Sequence, residues 1–425
     1  ESWYEETVKR DEGLPPSIGS VSTEICIVGG GLAGLTCAAE LARRGKRVVL
    51  LEARRLAWGA SGRNGGFVGS GFAAGLDEIA ARTSLDQARA LYRLSAYGTE
   101  HVRREIARLD PSALAGEGVI VTQRIDDPAG AQKRRAFMAE EFATELDYLS
   151  TEETRVLLRT ERYFQSLRNP ASFHIHPLRY ALALARSARA SGAILHENDP
   201  ALAVERKGAS FIVRTGHATI SAEHVIHCVS SLDRRIHPQS GRAVLPVATY
   251  VAVTAPLHQD AILTRAAIAD TRRAGDYYRL IDQGRILWGG RITTRVGEPG
   301  RLGEIMKRDM LSVYPQLGDP AITHAWAGLM GYALHKMPLI GRARDGQWYA
   351  TAFGGHGLNT TAMAGLLFAR AIADGDDEYR RFEAFAPRWA GGPFGRAGVQ
   401  TTYWWLKARD MIDEAKAQKK AQRTG

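Results

Sequence analysis

The sequence predicts an α/β protein in which a parallel sheet begun by a βαβ unit is joined to a second domain of antiparallel strands and helices. Three observations carry this expectation. An apolar, β-branched run near the N-terminus leads through a glycine-rich turn into an Ala/Leu-rich helix; short strand-like segments cluster between Pro246 and Arg295; and a further strand, glycine turn and helix follow near Gly354. With 425 residues and 45 % hydrophobic content the chain has an ordinary globular composition and can bury a large core.

In chain order, Thr23–Val28 reads as a buried parallel strand. Gly29-Gly-Gly31-Leu-Ala-Gly34 follows, then a predicted helix Leu35–Arg44 stopped by Gly45, and a predicted second strand Lys46–Leu51 closed by Glu52. From Leu76 to about Thr160 the pattern is helical and charged, with heptad-like spacing through Ala88–Leu109 and Ala131–Tyr148. A second α/β stretch predicts a helix Leu178–Ser191, a strand Ala193–His196, the strand pair Ala201–Glu205 and Phe211–Thr215, and an apolar run His224–Val229. Strands expected at Thr249–Thr254, Tyr277–Ile281 and Arg285–Gly290 suggest an antiparallel sheet. The last unit is a strand Trp348–Phe353, the turn Gly354–Gly357, a helix from Thr360 to Asp374, and a Lys/Gln/Ala-rich C-terminal helix.

The formal net charge of +10 comes from Arg and Lys spread along the whole chain, so an acidic or phosphate-bearing ligand uses the excess more economically than nucleic acid does. No apolar run approaches the roughly 20 residues that span a bilayer. The opening Glu-Ser-Trp-Tyr-Glu-Glu is a polar lead-in without the regions of a signal peptide, and because residue 1 is not Met, residues upstream remain open. Cys26, Cys37 and Cys228 show no C-x-x-C or metal-ligand spacing; they read as buried thiols in a reducing, cytoplasmic compartment, and no metal is expected.

The chemistry starts at the glycines. Gly29 permits a tight turn, Gly31 leaves room for a pyrophosphate at the helix N-terminus, and Gly34 allows the helix to pack closely on the strand; Leu32 and Ala33 lie between them. Glu52, at the end of the next strand, suits a ribose hydroxyl and disfavours a 2′-phosphate. FAD and NAD share this half, and the segment after Glu52 separates them. Ala53–Gly66 continues as a glycine-rich loop where an NAD domain turns into its next crossover helix. The loop predicts FAD, with Ala53, Arg54 and Ala60 along it, Ser61, Arg63 and Asn64 as polar contacts, and Gly65 and Gly66 admitting the ring.

On Ile27–Leu35 and Trp58–Gly66, together with His176-Pro177, Tyr277-Tyr-Arg279, Gly284–Gly290, Pro338–Gly341 and Gly354–Gly357, the sequence resembles the D-amino-acid oxidase family of FAD-dependent oxidoreductases, which includes glycine oxidase and sarcosine oxidase. The motifs run in family order from about residue 20 to residue 385. The resemblance implies a Rossmann-like, discontinuous FAD domain (20–75, 170–240 and 325–390), a substrate domain (76–169, helical, and 241–324, an antiparallel sheet that roofs the flavin), and a C-terminal helix over 391–425. It implies that Ala201 offers its backbone to the adenine, and that Gly354, Gly355, His356, Gly357, Leu358 and Asn359 face the flavin pyrimidine, where helix N–H groups stabilise negative charge. Without the resemblance, Gly354–Gly357 also admits the lesser reading of a mere strand-to-helix turn.

The sequence departs from the family at three places. Glycine oxidase-like members carry a carboxylate-gripping Arg where this chain has Met330, and sarcosine oxidase-like members carry a Lys where it has Asn359. Sarcosine oxidase-like members also bind flavin through a Cys, and Ala325–Gly341 contains none, so FAD is expected to be non-covalent. Amines or N-substituted amino compounds are therefore favoured as substrates. The resemblance implies hydride transfer from the carbon beside nitrogen to flavin N5, an imine that hydrolyses, and oxygen (giving hydrogen peroxide) or another acceptor. Tyr250, Tyr277, Tyr278 and Trp288 are candidates for an aromatic pocket lining, and each is also an ordinary sheet-core residue. Arg279 and Arg291 are candidates for holding a substrate carboxylate or are structural; His356 is a candidate electrostatic aid; His176 reads as structural. A D-amino-acid-type deaminating oxidase and a non-catalytic FAD-binding subunit of a larger complex are the competing readings, and the oligomeric state is open.

Overall fold

The computed structural model describes residues 1–231, 235–257, 261–272 and 275–424, with side chains through 416. The second half of strand Gly19–Val28 and all of strand Val48–Leu51 are buried on both faces, as their unbroken apolar runs require, and they pair in parallel with Ile25 beside Val48 and Val28 beside Leu51. The helix between them is Leu32–Arg43. It begins three residues before the expected start because Gly31 is its N-cap and the motif residues themselves form its first turn.

Among the described residues these strands belong to an eight-stranded sheet ordered Leu339–Arg342, Trp348–Thr351, Ala218–His227, Gly19–Val28, Val48–Leu51, Ile194–His196, with the antiparallel pair Ala203–Lys207 and Ser210–Arg214 joined to Ala218–His227. Helices Leu32–Arg43, Pro177–Ala190 and Gly357–Asp374 bury one face in the main core through Ile25, Ile27, Leu50 and Ile226. The opposite face, with Cys26, Val28, Val49 and Leu51, is covered by Phe211, Val213 and Ala201.

A second, nine-stranded sheet runs Ile322–Tyr332, Leu245–Thr254, Arg285–Thr293, Tyr277–Ile281, Ala267–Asp270, Leu114–Thr122, Ser166–Ile175, Phe67–Val68, with Asp147–Leu149 paired to Ser166–Ile175. Its membership moves several expected boundaries. The segment 76–169 is not wholly helical, since Leu114–Thr122 and Asp147–Leu149 are strands, and the helix expected over Ala131–Tyr148 is Pro128–Phe142, ended by Ala143 in the left-handed region at φ 48°. Phe67–Val68 and Ile322–Tyr332 also belong to this sheet, so the segments 20–75 and 325–390 each contain residues of it. Pairing explains the last case: Trp326 sits opposite Val251 and Gly328 opposite Thr249, so the strand extends the antiparallel sheet to its edge. The terminal helix is Gly392–Thr424; Gly425 lies outside the described residues.

The N-terminal lead-in is anchored rather than merely polar. Ser2 caps a short helix, Trp3–Glu6, whose Trp3 and Tyr4 are buried. Elsewhere three helices are tied at one point. Arg43 donates to Glu105 at 2.6 Å and to Ser187 at 2.8 Å, and Arg108 donates to Glu105 at 2.7 Å. Burial pushes the Glu105 carboxyl up, but the bonds from Arg108 and Arg43 outweigh it, and the group titrates below its usual 4.5. A depressed carboxylate stabilises the fold above its unfolded pKa and loses that contribution as pH falls through its folded pKa. Glu105→Gln is therefore expected to cost about 2 kcal/mol at neutral pH, with the difference from the parent shrinking as the pH is taken below 4.5, as read by denaturant unfolding across that range.

Candidate active site

Two of the motif glycines are demanded by close approach. At Gly29, with φ 112°, a Cβ would lie 2.7 Å from the Cys228 carbonyl oxygen, and at Gly34 a Cβ would lie 2.0 Å from that of Gly29. The turn therefore lies directly against the helix. Leu32 and Ala33 point into the core while their backbone belongs to the first helical turn, whose amides have no partner within the helix. Glu52 accepts from the Gly30 N–H at 2.7 Å and the Arg54 N–H at 2.9 Å, and burial raises its pKa. Each carboxylate oxygen keeps a second lone pair, the acceptor set that a ribose diol requires. Backbone bonds from Asn198 to Arg54 and from Asp199 to Glu52 set the chain leading to Ala201 beside this acid. Cleared space for a pyrophosphate, a helix N-terminus and an acid at the second strand end fit an adenine dinucleotide.

The loop after Glu52 organises itself by side-chain bonds to backbone. Ser61 Oγ accepts the Leu32 N–H at 3.0 Å, so the loop caps the helix start next to Gly31. Asn64 donates to the carbonyls of Ala60 and Ser61 at 3.0 Å and accepts from the Gly66 N–H at 2.9 Å. Arg63 donates to the Trp58 carbonyl, and its own carbonyl accepts from the Trp326 indole at 2.9 Å. Ala53 and Arg54 are exposed, with the Arg54 guanidinium 3.8 Å from the Trp58 ring centroid. A Cβ at Gly65 would lie 2.6 Å from the Tyr277 ring, and one at Gly66 would lie 2.3 Å from the Ile175 carbonyl oxygen.

Arg279 is occupied by this loop and is not free to grip a substrate carboxylate. Fully buried, it donates to the carbonyls of Gly65 and Ile175 at 2.8 Å, to His174 Nδ1 at 2.9 Å and to the Tyr4 hydroxyl at 3.1 Å, while Tyr4 donates to the Asn64 carbonyl. His174 accepts at Nδ1 and donates from Nε2 to the Arg265 carbonyl at 2.7 Å; burial and then Arg279 push its pKa down to about 3, so it stays neutral. Arg291 is engaged too, in a two-pronged pair with Asp309. His176 caps the helix Pro177–Ala190 by accepting the Arg179 N–H, the structural role expected of it.

The alternation of the second sheet sorts the aromatic candidates. Tyr250, Tyr278 and Trp288 lie on its outer face, packed with Leu302, Met306 and Met310. Tyr278 and Trp288 stack at 4.3 Å, and the Tyr278 hydroxyl meets those of Tyr163 and Tyr314, so these three candidates are core and do not line the pocket. The inner face carries Tyr277, whose hydroxyl is 3.3 Å from Thr249 Oγ1, and, on strand Ile322–Tyr332 beside that of Thr249, Trp326, Gly328 and Met330. A Tyr-Tyr pair in a strand must split between two faces; which ring turns inward is settled by register.

The second glycine turn closes the set. Gly354 has φ 59° and donates to the Gly331 carbonyl at 3.0 Å, and the Tyr332 ring packs against it. Gly357–Asp374 is one helix with His356 as its N-cap residue. His356 is open to solvent, yet enough protein surrounds it for burial to lower its pKa. Gly355 shares that opening. Leu358 and Asn359 do not: Leu358 is buried in the core, and the Asn359 amide, also buried, donates to the Gly71 carbonyl at 3.1 Å. Three contributors escaped the sequence reading: Tyr4, Tyr332, and Tyr403 of the C-terminal helix, whose hydroxyl burial and the neighbouring Tyr332 push up in pKa. Only the Trp3-Tyr4 pair in an acidic run offered a signal. Among the described residues no cluster suits a metal.

Arg279→Lys is expected to abolish FAD retention, because one ammonium cannot reach four acceptors on three chain segments. Arg291→Ala should retain the cofactor; absorbance of the purified variants between 350 and 500 nm, about where oxidised flavins absorb, reads both outcomes.

A family model described as FAD dependent oxidoreductase (DAO) matches residues 24–371. The gamma-glutamylputrescine oxidoreductase of Escherichia coli (strain K12) is 30 % identical over 374 residues, covering 86 % of this chain and 87 % of that protein. The probable oxidoreductase OrdL of Rhizobium meliloti (strain 1021) is 29 % identical over 372 residues, covering 87 % of each. Among solved structures, glycine oxidase from Geobacillus kaustophilus shares the fold at a TM-score of 0.73 and 18 % identity, over 87 % of this chain and 99 % of that one. No helix among the described residues is long and apolar enough to cross a membrane. The match across the glycine turn, the Glu52 strand, the roof and the second glycine turn makes this chain a member of the FAD-dependent oxidoreductase (DAO) family.

Proposed function

We propose that this enzyme oxidises the carbon–nitrogen bond of an amine or N-substituted amino compound, with FAD held non-covalently. The carrying observation is the character of the inner face of the roof. Half-buried Tyr277 and Met330 line it, with buried Trp326 packed beside them, and Arg279 on the same face is consumed by the glycine loop. Such a lining penalises an ammonium and favours the neutral amine, the form that can lose hydride. The name of the Escherichia coli relative, gamma-glutamylputrescine oxidoreductase, supports an amine as the class of substrate.

Glu52 and the first-turn amides of Leu32–Arg43 would hold the dinucleotide, and the loop from Ser61 to Gly66 would lie along it. When bound, FAD supplies the two-electron acceptor that takes hydride from the carbon beside nitrogen, leaving an imine that water hydrolyses. The amides at Gly355–Gly357 and the dipole of the helix behind them favour negative charge at the cleft, and neutral His356 adds a donor without adding a competing cation. Oxygen, reduced to hydrogen peroxide, is the acceptor in this reading. Cys26 and Cys37 are buried and Cys228 half-buried; burial pushes the Cys26 and Cys228 thiols up to about 12, so neither is a thiolate available to flavin.

Anaerobic addition of a panel of diamines, N-methyl amino acids and D-amino acids should bleach the flavin bands with an amine class. Intact bands with every compound, in a protein that carries FAD, would sink the reading in favour of a non-catalytic subunit. Acid precipitation should leave the flavin in the supernatant, and colour in the pellet would overturn non-covalent binding. Because burial holds His356 neutral, His356→Gln should lower kcat by about tenfold without altering the shape of the pH profile above neutrality.

A further inference from the structure

The C-terminal helix presents two faces of opposite character. One docks on the protein: Arg396 donates to the Thr294 carbonyl at 2.9 Å, Gln400 accepts from the Thr294 N–H at 2.8 Å and from Thr293 at 2.9 Å, Tyr403 meets Tyr332, and Glu414 forks onto buried Arg124 at 3.0 and 3.2 Å. The steps between these residues, of four, three and eleven (three full turns), define a single side of the helix. The other side is apolar and bare. Phe394, Trp405 and Ile412, with Thr401 and Ala408 between them, repeat at the same spacing, flanked by Trp404 and Met411; Phe394 is 85 % exposed, Met411 66 %, Trp404 58 %, Trp405 57 % and Ile412 53 %. Trp389, just before the helix, is 69 % exposed. Five large apolar side chains in one stripe on one helix exceed the scattered singles of an ordinary surface.

Charge says what covers this stripe. The most exposed ionisable residues on the helix are cationic, Lys407, Arg409 and Lys416; Asp410, Asp413 and Glu414 are half-buried, with Glu414 on Arg124 and Asp413 beside Arg409. Arg409 lies 3.8 Å from Asp413, an exposed and therefore weak pair, and 5.4 Å from the Trp405 ring centroid at the edge of the stripe. The sequence that follows adds Lys419, Lys420 and Arg423 and no carboxylate. A second copy of the helix offers the same face, on which exposed cations outnumber exposed carboxylates. An anionic lipid surface matches both halves of the pattern, taking Trp, Phe, Met and Ile below the headgroups and leaving Lys and Arg among the phosphates.

We propose that the enzyme docks on anionic membranes through this outer face, lying in the interface rather than spanning the bilayer. The inner face of the same helix reaches Tyr332 at the second glycine turn, so docking places the mouth of the cleft beside the lipid surface. The test is flotation of the FAD-loaded full chain with vesicles of phosphatidylcholine mixed with phosphatidylglycerol, against phosphatidylcholine alone; it reads no turnover and is independent of the substrate. The chain should float with the mixed vesicles, its tryptophan emission should shift to the blue, and added salt should weaken both effects. A W404S/W405S variant should lose at least about tenfold in partitioning, and K407Q/R409Q about fivefold per charge removed. Both should keep the parent's flavin spectrum and melting temperature, because the altered side chains are exposed. Failure of the parent to float with anionic vesicles overturns the proposal. So does self-association in sedimentation that W404S/W405S abolishes while lipid binding is absent, since the stripe would then be an interface between copies.

Discussion

The buried guanidinium of Arg279 is the interaction on which the two halves of this enzyme converge. It sits in the antiparallel sheet, and its acceptors belong to the glycine loop of the nucleotide domain, to strand Ser166–Ile175 and to the N-terminal helix. A charge taken out of water is tolerated only when its donors are matched, and here four bonds from one planar group do so. The glycine loop therefore takes its position from the antiparallel sheet as well as from the strand that precedes it.

Steric clearance is the second constraint, and it works with the first. Gly65 and Gly66 are small because Tyr277 and Ile175 occupy the space a side chain would need, just as Gly34 is small because the Gly29 carbonyl does. Glycine at these points serves packing of protein on protein as well as ligand access. Asn64, Ser61 and Arg63, which look like direct ligand contacts in the sequence, spend several of their hydrogen bonds on the loop itself. Rigid placement of the loop is how such residues contribute to binding, because a preorganised cradle has less entropy to lose when the dinucleotide enters.

Legibility in the sequence followed the range of the interactions. The first βαβ unit was readable because its signals are local: β-branched density, three glycines at fixed spacing, and an acid at the next strand end all report on contacts within a short stretch of chain. The second sheet was readable only in part. Leu114–Thr122 was hidden in a helical, charged stretch, and Ile322–Tyr332 was split between two domains, because each becomes a strand by pairing with partners distant in sequence. Arg279 and Arg291 show the same limit for the site, since a substrate-holding and a structural role stood side by side until their partners, His174 and Asp309, came into view.

The amino-acid sequence by itself determined the glycine turn with its acid at the next strand end and the family, since each is a matter of residue type at a fixed local spacing. Tertiary structure alone decided which aromatic rings face the cleft. Tyr277 turns inward and Tyr278 outward because strand register, fixed by hydrogen bonds to Arg285–Thr293 and by the packing of Leu302–Leu311 on the far side, selects one face for each alternate residue. Adjacent residues of the same type carry no local signal of that choice, and a shift of one position would exchange them.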